Sequence, residues 1–239
     1  MKVLLDILRR ENADAAPWHQ CIPFETADTN ATVASALTAI NADPSLRDTE
    51  GRPVTPIRWE CSCLQKKCGA CAMRINGVPR LACDAQLADL GETVRLAPLG
   101  KFPVVADLMV DRSGMMQQLR DMRLWLETDE PAADPDALAA SYEASRCLQC
   151  GCCLEVCPNF YVDGDFYGMA AAVPVSRIVA EADEAQMADL RRAYRSHVYE
   201  GCGKSLACRD ICPAGIDIEG LLVRSNAAAV WKRRRKGRK

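Results

Sequence analysis

The hydrophobic and polar positions follow a mixed pattern over the first hundred residues. Residues 3–8 have the apolar, β-favouring composition of a strand, and residues 31–40 have helical spacing. Residues 72–78 alternate around Asn76-Gly77, a dipeptide typical of a two-residue hairpin turn. The pattern therefore predicts a mixed α and β domain over residues 1–100.

After Pro103 the apolar positions recur with longer, helical periods. They predict helices over residues 104–127, 136–145, 175–199 and 218–232. Residues 128–135 are acidic and rich in Ala and Pro, which indicates an exposed loop. The sequence thus predicts an α-helical domain over residues 101–239.

Charge is unevenly distributed along a chain whose formal net charge is −2. Seven of the eight residues 232–239 are basic, so the rest of the chain is acidic. The simplest interpretation of this tail is a solvated terminus, and the alternative is attraction to an anionic membrane surface. Nucleic acid is not an expected partner, because the body is acidic and has no recognition motif.

The apolar segments of the sequence argue against a membrane-spanning helix and against an export signal. No run of eighteen apolar residues occurs, and the N-terminus lacks a charged-then-apolar signal pattern. We therefore expect a chain that stays in the cytoplasm without spanning a membrane. In a reducing compartment, closely spaced cysteines indicate metal rather than disulfides.

The chain has 14 cysteines and only 2 histidines, which disfavours histidine-rich zinc sites and Rieske ligation. The first cysteine set has the spacing of a plant-type two-iron ferredoxin, in which one loop supplies three thiolates and a later residue completes the site. Its members are Cys63, Cys68, Cys71 and Cys83. A four-thiolate zinc site is the alternative, although zinc loops usually pair two short Cys-x2–4-Cys units.

The second half contains two copies of one motif if serine is allowed to replace one cysteine. The first copy is Cys147-x2-Cys150-x2-Cys153-x3-Cys157-Pro158, and the second is Cys202-x2-Ser205-x2-Cys208-x3-Cys212-Pro213. In two-cluster bacterial ferredoxins, the fourth cysteine of each copy ligates the other cluster. This rule assigns one [4Fe–4S] cluster to Cys147, Cys150, Cys153 and Cys212. It assigns a second cluster site to Cys157, Cys202 and Cys208.

Ser205 occupies the fourth corner of that second site. Three thiolates suit a [3Fe–4S] cluster, although a serine alkoxide could still ligate a fourth iron. Cys21, Cys61 and Cys152 remain unassigned and are interpreted as packed or free thiols. Cys153 is preferred to its neighbour Cys152 because it preserves the two-residue interval.

Other chemistries lack their motifs. Gly203-Lys204-Ser205 resembles the end of a phosphate-binding loop, but Val198 stands where that loop requires glycine. No dinucleotide-binding glycine motif follows a strand, and no catalytic dyad is apparent. The sequence predicts an electron carrier without a catalytic acid, base or nucleophile of its own.

These features resemble the iron–sulfur subunits of succinate dehydrogenase and fumarate reductase. The resemblance covers nearly the whole chain: the first cysteine set with residues 76–83, the segment 98–111, and both cysteine runs. It implies an α+β protein, in which a β-grasp [2Fe–2S] ferredoxin domain precedes an all-α ferredoxin domain with [4Fe–4S] and [3Fe–4S] clusters. It also implies a flavoprotein partner with FAD and a dicarboxylate site, membrane-anchor subunits, and a peripheral position on the cytoplasmic face of the membrane.

The resemblance further implies a quinone site near the three-iron cluster. Carried over by position, the quinone-proximal residues are Pro158, Asn159, Phe160, Tyr161, Gly203 and Lys204. Ubiquinone-type members have tryptophans where Tyr161 and Val162 stand and a histidine where Gly203 stands. The resemblance therefore favours another quinone, such as menaquinone. For Phe160 and Tyr161, simple core packing is the alternative.

Two other functional classes remain open at this stage. The chain could serve another flavoenzyme, such as a thiol-linked fumarate reductase or another organic-acid reductase, or act as a soluble ferredoxin-like carrier. It could also be a structural zinc protein. The sequence does not distinguish succinate oxidation from fumarate reduction, because the direction depends on the cluster potentials and the quinone pool.

Overall fold

The computed structural model describes residues 1–125, 135–182 and 184–231. The chain divides into two compact units, Met1–Asp111 and Arg112–Lys239. The first unit thus continues beyond residue 100, where the hydrophobic pattern places the domain boundary.

The first unit, all of which is described, is built on a mixed five-stranded sheet of order β2-β1-β5-β3-β4. Its strands are β1 (Lys2–Arg9), β2 (Trp18–Glu25), β3 (Ala72–Ile75), β4 (Val78–Leu81) and β5 (Thr93–Ala97). β1 and β5 are parallel, and the other neighbouring strands are antiparallel. Alternate residues of β1 are buried, as expected for a strand with one face on the core.

The hairpin predicted at Asn76-Gly77 joins β3 to β4. Asn76 and Gly77 have φ of 50° and 82°, the two positive values that a type I′ turn requires. The turn pairs Ile75 with Val78 and places Ala72 opposite Leu81. This register matters for the site, because each of those last two residues lies close to a cysteine.

The helix predicted over residues 31–40 is α1 (Val33–Ala42). Thr32 and Ser35 form a capping box at its start: Ser35 N donates to Thr32 Oγ1 at 3.2 Å, and Thr32 N donates to Ser35 Oγ at 2.8 Å. The N-terminus of α1 is also tied to the chain that follows β4, since Ala34 N donates to Ala82 O at 3.0 Å.

The helix predicted over residues 104–127 is wrong for most of its length. Val104–Ala106 and Met109–Val110 form a short hairpin, β6 and β7, and only Ser113–Asp121 is helical, as α2. The β-branched pair at residues 104–105 favours a strand, and Asp107 turns the chain with φ of 43°. The end of the predicted helix, residues 126–127, lies outside the described residues.

The second unit is helical throughout its described part. Its further helices are α3 (Pro135–Ser145), α4 (Cys152–Glu155), α5 (Gly168–Glu181), α6 (Glu184–Tyr194), α7 (Ala207–Asp210) and α8 (Ile218–Asn226). π-helical turns Arg195–Tyr199 and Ala227–Trp231 follow α6 and α8. No helix among the described residues is long and apolar enough to cross a membrane.

The helix predicted over residues 136–145 is confirmed as α3, and that over residues 218–232 is α8 with its π-helical turn. The single helix predicted over residues 175–199 is wrong: α5 begins earlier, at Gly168, and Ala182 ends it with an extended ψ of 144°. The loop predicted over residues 128–135 lies outside the described residues except for Pro135, which begins α3.

Buried polar contacts fix the helices of this unit to one another. Tyr194 is fully buried, and its hydroxyl donates to Asn226 Oδ1 at 2.7 Å. Ser176 on α5 and Ser225 on α8 place their hydroxyl oxygens 2.9 Å apart. Since these buried hydroxyl and amide groups pair with one another, the helical frame holds the intervening loops in defined positions.

Candidate metal centres

The first candidate centre lies at the open end of the β3–β4 hairpin. Cys71 immediately precedes β3, and Cys83 follows β4. Ala82 N donates to Cys71 O at 3.0 Å, which continues the hairpin pairing beyond the strands. The hairpin thus brings the third and fourth cysteines of the set together, although eleven residues separate them in the sequence.

The loop before the hairpin directs backbone amides at the cysteine sulfurs. Gln65 N and Lys67 N donate to Cys63 Sγ at 3.3 and 3.4 Å, and Lys66 N donates to Cys83 Sγ at 3.3 Å. The hydrogen bonds from Gln65 and Lys67 lower the pKa of Cys63 to about 7. These amides favour the thiolate, the form that binds metal.

The loop can present its amides in this way because its backbone reverses repeatedly. Leu64 and Lys66 have φ of 53° and 58°, and Gly69 has φ of 74°. Such left-handed conformations are unfavourable for leucine and lysine, so the fold must stabilise them elsewhere. Strain of this kind is typical of functional sites, and here it surrounds the sulfurs.

The two motif copies in the second unit have the same local backbone. The residues on either side of Cys150 have φ of 50° and 86°, and those on either side of Ser205 have φ of 56° and 57°. Each loop then enters a four-residue helix, α4 or α7. The gapless repeat predicted from the cysteine spacing is therefore present in the geometry, with Ser205 in the position of Cys150.

One cavity of the second unit is lined by thiols from both copies. They are Cys147, Cys150, Cys153 and Cys212. Apolar residues of α5 and α8, including Val173 and Ile218, complete its wall. Burial, followed by the neighbouring thiols, raises the pKa of Cys153. Cys212, from the second copy, thus lines this cavity together with three cysteines of the first copy, which is the arrangement that the repeat predicts.

A second cavity collects the remaining thiols of the repeat. They are Cys157, Cys202 and Cys208, with Ser205 beside them. Burial, and next the charges of Cys157 and Cys202, raise the pKa of Cys208 to about 11. Three thiols and one hydroxyl therefore share this site, as the three-iron hypothesis requires.

Four of the predicted quinone-proximal residues line the same second cavity. They are Pro158, Asn159, Gly203 and Lys204. Phe160 is buried at 1% exposure, whereas Tyr161 is 67% exposed. The structure thus packs Phe160 into the interior, as its alternative interpretation proposes, and leaves Tyr161 at the surface.

Asn159 fills the space in front of Gly203. Its Nδ2 atom donates to Gly201 O at 2.7 Å. A Cβ atom on Gly203 would lie 3.0 Å from the same Nδ2. A side chain at residue 203 would therefore have to displace the asparagine.

The three unassigned cysteines lie apart from these cavity walls. Cys152 is fully buried, and its hydrogen bond to Cys150, followed by burial, raises its pKa. Cys153, not Cys152, lines the first cavity. Cys21 lies in β2, where burial and then Asp6 raise its pKa, and Cys61 is exposed.

Sequence reasoning missed one polar group that contacts a predicted ligand. Gln149 Nε2 donates to Cys147 Sγ at 3.3 Å and to Ala170 O at 3.0 Å. Residue 149 is one of the motif positions at which any residue type is allowed. Its amide side chain was therefore the only feature of the sequence that could have indicated this contact. Within the described residues, no three His, Cys, Asp or Glu side chains converge closely enough to hold a single metal ion.

Known proteins resemble this chain over most of its length. Residues 4–117 match the model of a 2Fe-2S iron-sulfur cluster binding domain, and residues 143–216 match that of a 4Fe-4S dicluster domain. The succinate dehydrogenase iron-sulfur subunit of Bacillus subtilis (strain 168) is 34% identical over 235 residues, which cover 89% of this chain and 86% of that subunit. The fumarate reductase iron-sulfur subunit of Mycobacterium tuberculosis is 35% identical over 184 residues, covering 72% of this chain and 73% of that subunit.

A solved structure shares the fold. It is described as the Mycobacterium smegmatis Sdh1 complex in the apo form, and one of its chains superposes with a TM-score of 0.74 and 22% identity, covering 97% of each chain. The predicted α+β class, with a [2Fe–2S] ferredoxin domain before a helical four-iron domain, is confirmed.

Proposed function

Since the chain belongs to the family of succinate dehydrogenase and fumarate reductase iron–sulfur subunits, we propose that it carries electrons between a flavoprotein partner and a membrane quinone. As an electron-transfer subunit of an oxidoreductase, it needs no acid, base or nucleophile of its own. The partner holds FAD and the dicarboxylate site, and anchor subunits hold this chain at the cytoplasmic face of the membrane.

The cysteine assignment is part of the proposal. Cys63, Cys68, Cys71 and Cys83 hold [2Fe–2S]; Cys147, Cys150, Cys153 and Cys212 hold [4Fe–4S]; and Cys157, Cys202 and Cys208 hold [3Fe–4S]. The observation that carries it is the pair of cavities in the second unit, each lined by thiols from both motif copies. When bound, such clusters supply one-electron transfer.

The chain's own groups prepare these sites in two ways. Amides of Gln65 and Lys67 stabilise the thiolate of Cys63, and the amide of Lys66 donates to the sulfur of Cys83 at 3.3 Å. Burial on the second unit's helices limits water around the four-thiol set, in which Cys150 is only 8% exposed. Hydrogen bonding and exposure are the means by which a protein sets the potentials of its clusters.

Menaquinone is the proposed quinone. The support lies at residues 159 and 203, because Asn159 occupies the space where ubiquinone-type members carry a histidine side chain. Pro158 and Lys204 line the same cavity, which makes that end of the second unit the proposed quinone-proximal end. Tyr161 is exposed and available to an anchor subunit or to quinone.

The decisive experiment is anaerobic purification of the native complex with identification of its polypeptides and metals. We expect a flavoprotein, at least one anchor subunit, and about nine irons on this chain, as one two-iron, one four-iron and one three-iron cluster require. Menaquinol analogues should exchange electrons with the complex faster than ubiquinol analogues.

Three outcomes would contradict the proposal. Zinc without iron would establish a structural zinc protein. A complex without anchor subunits or quinone activity would indicate another flavoenzyme or a soluble carrier. Spin resonance of the oxidised protein without a [3Fe–4S] signal would overturn the assignment at Ser205.

A further inference from the structure

One cavity of the second unit is separate from the thiols. Its volume is about 780 Å³, within the range of small-molecule sites. It is lined by α6 and by the two π-helical turns, Arg195–Tyr199 and Ala227–Trp231. Neither the cysteine motifs nor the proposed electron transfer gives it a role.

The polar wall of this cavity is rich in arginine. Arg191, Arg192 and Arg195 line it, and Arg191 and Arg195 are one helical turn apart. Glu200 is the acidic residue of the wall, and its Oε1 accepts from Arg195 Nε at 3.0 Å. The described lining therefore has two more positive than negative charges. Guanidinium groups bind phosphate oxygens with paired hydrogen bonds, so this wall suits a phosphate-bearing anion.

Another part of the lining is apolar. Trp231 is 45% exposed, and Val230 and Ala229 lie beside it in the cavity lining. Inorganic phosphate has no apolar part to contact such a wall, whereas a phospholipid has a phosphate next to acyl chains. Tryptophan is also enriched where proteins meet the interface of a bilayer.

The chain continues from Trp231 directly into residues 232–239, of which seven are basic. Basic segments are attracted to anionic lipid surfaces. The last residue of the cavity lining thus leads directly into the basic tail, and both the cavity and the tail favour an anionic ligand. We propose that this cavity binds the headgroup phosphate of an anionic phospholipid.

The site adjoins the second thiol cavity through Tyr199. This residue lines the arginine cavity, and Lys204 Nζ lies 5.6 Å from the centre of its ring. Lys204 itself lines the cavity of Cys157, Cys202 and Cys208. A bound lipid would therefore hold the proposed quinone-proximal end at the membrane surface. Headgroup binding does not require electron transfer, so the two proposals can fail independently.

The test is vesicle co-sedimentation of the full-length chain, with phosphatidylcholine vesicles that contain or lack phosphatidylglycerol. The variant Arg192→Gln/Arg195→Gln removes two charges from the cavity. The matched control Arg80→Gln/Arg95→Gln removes two exposed charges from the first unit, and the basic tail is kept in every protein. Absorbance and circular dichroism verify that each variant is folded and loaded.

We expect the cavity variant to bind phosphatidylglycerol vesicles about 25-fold more weakly, at roughly fivefold for each basic residue near the surface. The control should change binding less than about twofold, because its exposed charges lie outside the cavity and are screened by salt. Vesicles without phosphatidylglycerol should bind weakly in all cases.

Equal losses in the two variants would overturn the proposal, because binding would then follow total charge. Inorganic phosphate is the competing probe. If phosphate alone binds at the arginines of the cavity with the same affinity as the vesicles do, the cavity is a free-anion site and the lipid assignment is refuted. Unchanged binding of the cavity variant would leave the tail as the only contact and would refute it as well.

Discussion

The amide of Gln149 donates a hydrogen bond to the sulfur of Cys147, with 3.3 Å between Nε2 and Sγ. The same Nε2 donates to Ala170 O at 3.0 Å, which ties the motif loop to α5. The Oε1 atom is buried and has no hydrogen-bond partner among the residues that the structure describes. A buried amide held for its donor rather than its acceptor is suited to stabilising negative charge on the thiolate.

Replacing Gln149 with Leu should lower the reduction potential of the four-iron cluster. Hydrogen bonds to cluster sulfur favour the reduced, more negative state. A net hydrogen bond of about 1 kcal/mol corresponds to roughly 40 mV for one electron. A redox titration followed by spin resonance measures this shift. The three-iron potential is the internal control, and an equal shift there would indicate a global disturbance rather than a lost hydrogen bond.

Ser205→Cys should convert the second site toward a four-iron cluster. The backbone around Ser205 matches that around Cys150, so a new thiol would occupy the position of a predicted ligand. We expect loss of the [3Fe–4S] signal, a lower potential, and an iron content of about ten instead of nine.

Ser205→Ala separates the two interpretations of the native serine. If the three thiols alone hold the cluster, the alanine variant keeps the three-iron signal and the iron content of the native chain. If the serine alkoxide ligates a fourth iron, the native chain lacks that signal and the alanine variant gains it. An unchanged signal in Ser205→Cys would count against the repeat itself.

Local patterns predicted the elements whose determinants are local. The hairpin at Asn76-Gly77 was predictable because few residues other than these tolerate two consecutive positive φ values. The helix over residues 104–127 was wrong because Asp107 turns the chain through distant contacts: its carboxylate accepts from Arg9 and from the backbone of Arg58. No window of neighbouring residues contains that information.

The candidate sites show the same division. The grouping of the cysteines that line the two cavities was predictable, since their spacing is a property of the sequence, and the repeat placed Cys212 with the first copy. The contacts of Gln149 and Asn159 were not, because both depend on where α5 and the Gly201–Gly203 loop lie in space. The amides directed at Cys63 depend in turn on the positive φ of Leu64 and Lys66, two residues whose types give no hint of that conformation.

Gly203→Ala should destabilise the second unit because the new methyl group meets Asn159 Nδ2 at 3.0 Å. The amide must shift by a few tenths of an ångström, which weakens its hydrogen bond to Gly201 O, a loss of at most about 1 kcal/mol. Thermal unfolding of the loaded chain should show a lower Tm. In the double variant Asn159→Ala/Gly203→Ala the obstructing amide is absent. Gly203→Ala should then lower the Tm little beyond the effect of Asn159→Ala alone. Strictly additive losses would show that Asn159 is not the obstacle.

The buried pair Arg9 and Asp107 should make the first unit sensitive to the loss of either partner. Both side chains are almost completely buried, at 3% and 4% exposure, with Arg9 Nε 2.9 Å from Asp107 Oδ1. The amides of Arg10 and Arg58 donate to the same carboxylate at 2.9 Å each. Asp107→Ala removes all three acceptor contacts and leaves the guanidinium buried without its counter-charge, which should cost about 3–5 kcal/mol.

Asp107→Asn is the matched control, because asparagine also tolerates the φ of 43° at this position and its oxygen can still accept a backbone hydrogen bond. We expect it to cost clearly less than the alanine variant, so that the difference between the two isolates the lost hydrogen bonds from the lost charge. Chemical denaturation of the full chain, followed by absorbance of the [2Fe–2S] site and by circular dichroism, measures both. A loss below about 1 kcal/mol for Asp107→Ala would mean that Arg9 is stabilised by Gln20 and Thr55 instead, whose oxygens accept from its other nitrogens.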